Sequence, residues 1–171
     1  PLTVTAHRGD SKNYPENSIL AFESAVRMGV DCVETDIHLS RDGYCVVSHD
    51  SSIDRCTDGS GRIRDFTLAE IKRFDAGYRF KNSKEDTGGG NLYPFRGEGI
   101  TIATLEEVLE AIPVMRFNID LKEPSEEMVE SFAEVLRKQG AQQRVLGASF
   151  HHRTIKMLRR RMPELATSFS K

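Results

Sequence analysis

The stretch Val33-Glu34-Thr35-Asp36-Ile37 sets two carboxylates two residues apart inside an otherwise apolar, β-branched run. Cys32, Val33 and Ile37 favour a pleated surface, and Arg41-Asp42-Gly43 ends the run with turn chemistry, so the segment reads as a buried strand. Side chains at i and i+2 leave the same face of a strand, so Glu34 and Asp36 point together. Two carboxylates in a dry place repel, and a shared proton or a bound cation relieves them. A polar edge strand with both acids in water is the alternative, and this stretch alone leaves it open.

The flanking segments repeat the theme of polar groups arriving where a strand ends. Residues 2–6 alternate apolar and polar as a short strand that runs into His7-Arg8-Gly9. Pro15 then precedes Glu16-Asn17-Ser18, with Asn17 placed to cap a helix whose apolar face is Ile19, Phe22, Ala25 and Val26 and whose stop is Gly29. A strand over 44–48 delivers His49-Asp50. In 116–122, Phe117, Ile119 and Leu121 share one face while Asn118, Asp120 and Lys122 share the other. A helix over 125–139 has acids first (Glu126, Glu127) and bases last (Arg137, Lys138), matching its dipole, and Gly140 stops it. A strand over 145–149, a helix over 153–161 and a strand from 165 complete the series. Alternating strands and helices indicate a parallel sheet. An open doubly wound sheet and a (β/α)8 barrel both allow it, but ionisable residues on several strand ends favour the barrel.

Composition narrows the partners. The 171 residues suit one domain, expected to run over 1–171 with a loop-rich excursion within it over 51–100. Lys and Arg total 24 against 26 Asp and Glu, so the net charge of -2 offers no general attraction to nucleic acid, and a small ligand is expected instead. No apolar run approaches the roughly 18 residues of a membrane span. The three cysteines, Cys32, Cys45 and Cys56, lack metal-finger spacing, and an odd count argues against a disulfide framework, so a reducing, cytoplasmic location is expected. The chain opens at Pro1 without an initiator Met, which points to a trimmed start. Thr67 within the excursion and Thr104 after it each stand ready to cap a helix. Gly88-Gly89-Gly90 reads as loop, because no Lys-Ser or Lys-Thr follows to make a phosphate cradle.

Taken as a set, His7-Arg8-Gly9, Pro15-Glu16-Asn17-Ser18, Glu34-Thr35-Asp36, Asp42-Gly43, His49-Asp50, Arg55-Cys56-Thr57 with Gly59 and Gly61, Thr67-Leu68, Asp75-Ala76-Gly77 and Asn118-Ile119-Asp120-Leu121-Lys122 resemble the glycerophosphodiester phosphodiesterase family. The resemblance covers most of the chain in the family's order. It implies a (β/α)8 TIM barrel of the phospholipase C-like phosphodiesterase type, and hydrolysis of a glycerophosphodiester to an alcohol and sn-glycerol 3-phosphate. By the same resemblance Glu34, Asp36 and Asp120 would ligate a divalent metal, Ca or Mg, whose hard character suits carboxylate oxygens. His7 and His49 would be the general acid and base, with their order unassigned. Arg8 and Lys122 would bind the substrate phosphate. The substrate's own neighbouring glycerol hydroxyl would attack phosphorus, giving a cyclic phosphate.

Two departures accompany the resemblance. The family often has Glu where this chain has Asp120, one methylene shorter. A (β/α)8 barrel takes about 250 residues, whereas six strand segments precede Lys171, so a fragment lacking the last two strands is expected. A lysophospholipase D-type enzyme, another phosphodiesterase, or a non-catalytic relative that binds glycerophosphodiesters are the competing readings. Both histidines beside all three carboxylates argue against pure binding, which needs neither an acid nor a base.

Overall fold

The computed structural model describes residues 2–81 and 92–169. Six strands and five helices alternate along the chain: β1 (Thr5–His7), α1 (Ile19–Arg27), β2 (Cys32–Leu39), β3 (Cys45–Val47), α2 (Leu68–Ile71), α3 (Leu105–Ala111), β4 (Arg116–Leu121), α4 (Glu126–Lys138), β5 (Val145–Ser149), α5 (His152–Arg161) and β6 (Ala166–Phe169). The Gly88-Gly89-Gly90 loop lies outside the described residues.

Strands β1, β2, β4, β5 and β6 pair in that order, all parallel. Each new parallel strand therefore joins the side away from its predecessors. A doubly wound sheet reverses its strand order at a switch point, whereas a (β/α)8 barrel advances in one direction, and this chain advances. The expected number of strands is found, but one of them is not a stave. β3 pairs antiparallel with the far end of β2, through Ile37 and Val47, His38 and Val46, and Leu39 and Cys45. Turn residues at Arg41-Asp42-Gly43, with Gly43 at φ 86°, fold the chain back on itself. Among the described residues, five of the six strands thus run parallel as barrel staves and the sixth folds back on β2.

The core lies between one face of the sheet and the helices. Val33, Ile37, Phe117, Ile119 and Leu121 are fully buried there against Phe22, Leu105, Val108, Phe132, Leu136 and Leu158. Phe22 of α1 meets Phe117 of β4 edge to face, with ring centroids 6.0 Å apart. Odd-numbered residues of β2 and β4 fill this core, so the even-numbered ones, Glu34, Asp36, Asn118 and Asp120, must leave by the opposite face. A second small core of Val46, Ile53, Ile63, Ile71 and Ile102 supports the excursion after β3.

The starts of α1 to α4 are held by side chains. Thr67 and Thr104 form full capping boxes with Glu70 and Glu107. Ser125 caps α4. The cap of α1 is Ser18 and not Asn17, because Asn17 is committed elsewhere: it sits at φ 57° and its side-chain oxygen accepts the Thr35 hydroxyl at 2.8 Å. Among the described residues no helix is long and apolar enough to cross a membrane.

Candidate active site

Register decides which side chains meet. His7 lies opposite Glu34, and Asp36 lies opposite Asp120, across three adjacent parallel strands. His7 ends β1 with its Nε2 3.7 Å from Glu34 Oε2. The next residue, Arg8, turns out of the strand at φ 60°, a conformation uncommon for a non-glycine residue. It is held there by its own N–H donating to the Glu34 carbonyl at 2.9 Å and its carbonyl accepting from the Asn17 N–H at 3.0 Å. Gly9 follows at φ 77°, where a Cβ would lie 2.8 Å from the Ala21 carbonyl carbon, so only glycine lets this loop approach α1 so closely. The Arg8 guanidinium then reaches Glu16 at 3.1 Å and comes within 3.8 Å of Asp36.

His49 reaches the same rim by another route. Because β2 overshoots the sheet and β3 returns antiparallel, the Ser48 N–H donates to the Asp36 carbonyl at 3.0 Å and His49 arrives at the level of the carboxylates. Its Nδ1 is 2.7 Å from Asp50 Oδ1, and Asp50 Oδ2 accepts from Arg55 Nε at 2.6 Å. The Arg55 hydrogen bond, aided by His49, holds the Asp50 carboxyl down at about 2. An ionised carboxylate only accepts, so Nδ1 of His49 carries the proton in this hydrogen bond. Arg55 also donates through both terminal nitrogens to Glu16, at 2.7 and 2.8 Å. Burial pushes the Glu16 carboxyl up, but Arg55 and Arg8 outweigh it and hold it below the usual range. Buried His38 closes the arrangement, with Nε2 3.2 Å from the His49 carbonyl and Nδ1 3.6 Å from Glu123.

The carboxylates occupy the floor. Lys122 places its ammonium 2.7 Å from Asp36 Oδ1 and 2.6 Å from Asp120 Oδ2. Burial alone would lower the lysine, but its bonds to Asp120 and Asp36 raise it above its ordinary value. Glu34 is pushed up to about 7, first by burial and then by the neighbouring Asp36 charge. One oxygen on each of Glu34, Asp36 and Asp120 is buried without a hydrogen-bond donor. Orphaned buried carboxylate oxygens are costly, and three of them on neighbouring strands make the donor set that hard divalent cations take. As they stand, Lys122 neutralises two of the three, and among the described residues no group of three or more His, Cys, Asp or Glu is gathered as a metal cage.

All seven residues expected at the site, His7, Arg8, Glu34, Asp36, His49, Asp120 and Lys122, therefore sit on one rim or on the loops rising from it. Glu16, Asp50 and Arg55 were not expected to have roles, yet they connect His49 to Arg8. All three stand inside the motifs quoted from the sequence, which was the available signal.

A family model for the glycerophosphoryl diester phosphodiesterase family matches residues 7–170. A glycerophosphodiester phosphodiesterase of Caldanaerobacter subterraneus is 40% identical over 169 residues, which cover 95% of this chain and 63% of that protein. One from Bacillus altitudinis is 36% identical over 95% of this chain and 63% of its own length. Among solved structures, an Oleispira antarctica phosphodiesterase in complex with the product sn-glycerol-3-phosphate superposes with a TM-score of 0.82 at 33% identity, over 98% of this chain and 65% of that one. The glycerophosphoryl diester phosphodiesterase domain of a Mycobacterium tuberculosis protein reaches a TM-score of 0.86 at 29% identity, over 97% of this chain and 59% of that one. The chain thus spans a little under two thirds of the length of the relatives it matches. With its one-directional parallel sheet and its match over nearly every residue, the chain belongs to the glycerophosphoryl diester phosphodiesterase family.

Proposed function

We propose that this chain carries the reaction rim of a metal-dependent glycerophosphodiester phosphodiesterase, which hydrolyses a glycerophosphodiester to an alcohol and sn-glycerol 3-phosphate. The observation that carries the reading is the meeting of two imidazoles, a guanidinium, an ammonium and three carboxylates at the ends of three adjacent parallel strands and one hairpin. The product bound to the Oleispira antarctica relative supports a small glycerol phosphate ester as the ligand. The three cysteines, all free, support a reducing compartment such as the cytoplasm.

Arg8 would grip the phosphate through its planar fork, and Lys122 as a point charge on a flexible stem. His49, with its Nδ1 proton donated to Asp50, presents Nε2 to the substrate, and His7 approaches from β1. One imidazole takes the proton of the attacking hydroxyl while the other protonates the leaving alcohol. If the attacker is the neighbouring hydroxyl of the substrate glycerol, the alcohol leaves as a cyclic phosphate forms. Water then opens that ring with the two imidazoles exchanging roles. Glu34, Asp36 and Asp120 would hold Ca or Mg, which when bound supplies Lewis-acid polarisation of the phosphoryl oxygens.

The test is release of glycerol 3-phosphate from glycerophosphocholine and glycerophosphoethanolamine by the full-length protein. Loss of activity to a chelator and its return with Ca or Mg is the expected result. Activity that ignores the chelator would remove the metal from the reading, and no release from either diester would remove the reaction.

A further inference from the structure

Beside the reaction rim lies a cleft of about 260 Å³ that the proposed mechanism does not use. Glu16 and Arg55 stand at its inner end, and Lys12, Arg79, Phe80 and Lys81 are among the residues that line it further out. Its inner end is coupled to the phosphate site, because Glu16 Oε1 accepts from Arg8 Nη1 at 3.1 Å and from Arg55 Nη2 at 2.7 Å. The cleft therefore begins one side chain away from the proposed phosphate grip.

The sign of the cleft follows from its lining. Glu16 and Arg55 neutralise one another, which leaves Lys12, Arg79 and Lys81 to set the charge. Among the described residues none of these three forms an ion pair with a carboxylate. Arg79 donates Nε to the Thr57 carbonyl at 3.1 Å and lies 5.7 Å from the Tyr78 ring, and among the described residues its terminal nitrogens have no hydrogen-bond acceptor. Lys81 sits 5.8 Å from the Tyr93 ring, an arrangement that leaves its charge intact. The chain as a whole is slightly acidic, with a net charge of -2, so three cations without a carboxylate partner among the described residues are a local concentration and not a reflection of composition.

We infer that this cleft receives the leaving-alcohol end of the substrate, and that it selects diesters whose alcohol carries a second anionic group, a phosphate or a carboxylate. This inference rests on the phosphodiesterase reading and deepens it by naming the substrate class. A diester gripped at Arg8 has one ester arm that can pass Glu16, and an alcohol with a negative group at its far end would meet Lys12, Arg79 and Lys81. A cationic alcohol such as choline would be repelled by the same three residues.

The test compares three diesters on the full-length protein at low ionic strength. They are 1,3-bis(glycerophospho)glycerol, whose leaving alcohol bears a second phosphate, glycerophosphoglycerol, whose alcohol is neutral, and glycerophosphocholine, whose alcohol is cationic. The expected order of kcat/KM is anionic, neutral, cationic, with about tenfold between the first and last, as three exposed charge contacts of ordinary strength would give. The preference should sit in KM and shrink as salt is raised. The triple variant K12Q/R79Q/K81Q, checked for folding by circular dichroism, should collapse the ratio of anionic to neutral substrate towards one. Hydrolysis of all three diesters without this order, or a ratio that survives the triple variant, overturns the cleft assignment alone. Failure to hydrolyse any of them overturns the phosphodiesterase reading, and the cleft assignment with it.

Discussion

The two histidines of the rim stand in different surroundings. His7 ends β1, the outermost strand of the described sheet, with Glu34 at 3.7 Å as its charged neighbour. His49 is 37% exposed, hydrogen-bonded to Asp50 at 2.7 Å, and its backbone is fixed by Ser48 and His38. Among the described residues, His49 has a side-chain hydrogen bond to orient its ring, while the His7 ring has the more distant Glu34. Catalysis by a proton donor and acceptor pair does not need both to be built to the same standard. On the proposed reading, a bound phosphate would orient the less constrained imidazole once the other is in place.

Substitution of the histidines themselves should have the largest effect. His49→Ala and His7→Ala are each expected to lower kcat by about 10²- to 10⁴-fold in a glycerol 3-phosphate release assay. If either variant keeps activity near that of the parent, the pairing of the two is wrong. Asp50→Asn tests preorganisation directly, because an amide can offer its N–H where the carboxylate only accepts and so upsets the Nδ1–H tautomer. We expect kcat to fall by about 10²-fold, with KM little changed. An unaltered kcat would mean that the Asp50 contact does not serve the reaction.

A smaller effect separates the helix starts from the rim. Thr104→Ala removes a capping box at α3, far from either histidine in the chain, and should cost about 1 kcal/mol of stability without altering kcat. Thermal unfolding and the release assay on one sample would check both halves. The smallest signal is a titration. Asp50 is depressed to about 2 in the folded protein, so the stability it contributes is present above its ordinary, unfolded value and is lost as pH falls from there through about 2. Arg55→Gln removes the main cause and should return the Asp50 titration towards the ordinary carboxylate range, read by carbon-detected NMR of its side chain. A value that stays near 2 would show that His49 holds Asp50 down without Arg55.

Much of this arrangement was legible in local pattern. Odd and even residues of β2 and β4 separate into core and rim by the period of a strand, and that period alone predicted that Glu34 and Asp36 leave together. Capping at Thr67 and Thr104 is equally local, since the partners stand three residues apart. The direction of β3 was not read, because the apolar run Cys45-Val46-Val47 suits a buried strand whichever way its neighbour runs. Its signal was the short turn around Gly43, which is hairpin chemistry. Asn17 and Ser18 are adjacent residues of equal capping ability, and only the contact with Thr35 on another strand decides between them. The Glu16–Arg55 pair joins residues 39 apart, and no periodicity spans that distance.

One consequence follows from the way β3 is tied down. The Val47 N–H donates to the Ala103 carbonyl at 2.8 Å, and Val46 bridges to Thr104, so the chain leaves the hairpin and comes back to it at the same point. The segment between forms a closed circuit hung on the barrel wall, and β4 resumes in register with β2 regardless of its length. The entropy of closing such a circuit grows only with the logarithm of its length. Residues added in this circuit, away from Ile63, Ile71 and Ile102 that pack against Val46, would therefore leave the strand register unshifted while reshaping the wall of the adjoining cleft. On the proposed reading, the rim and this circuit would be separable, and a library of inserted loops would test whether selectivity can change while the rim is held constant.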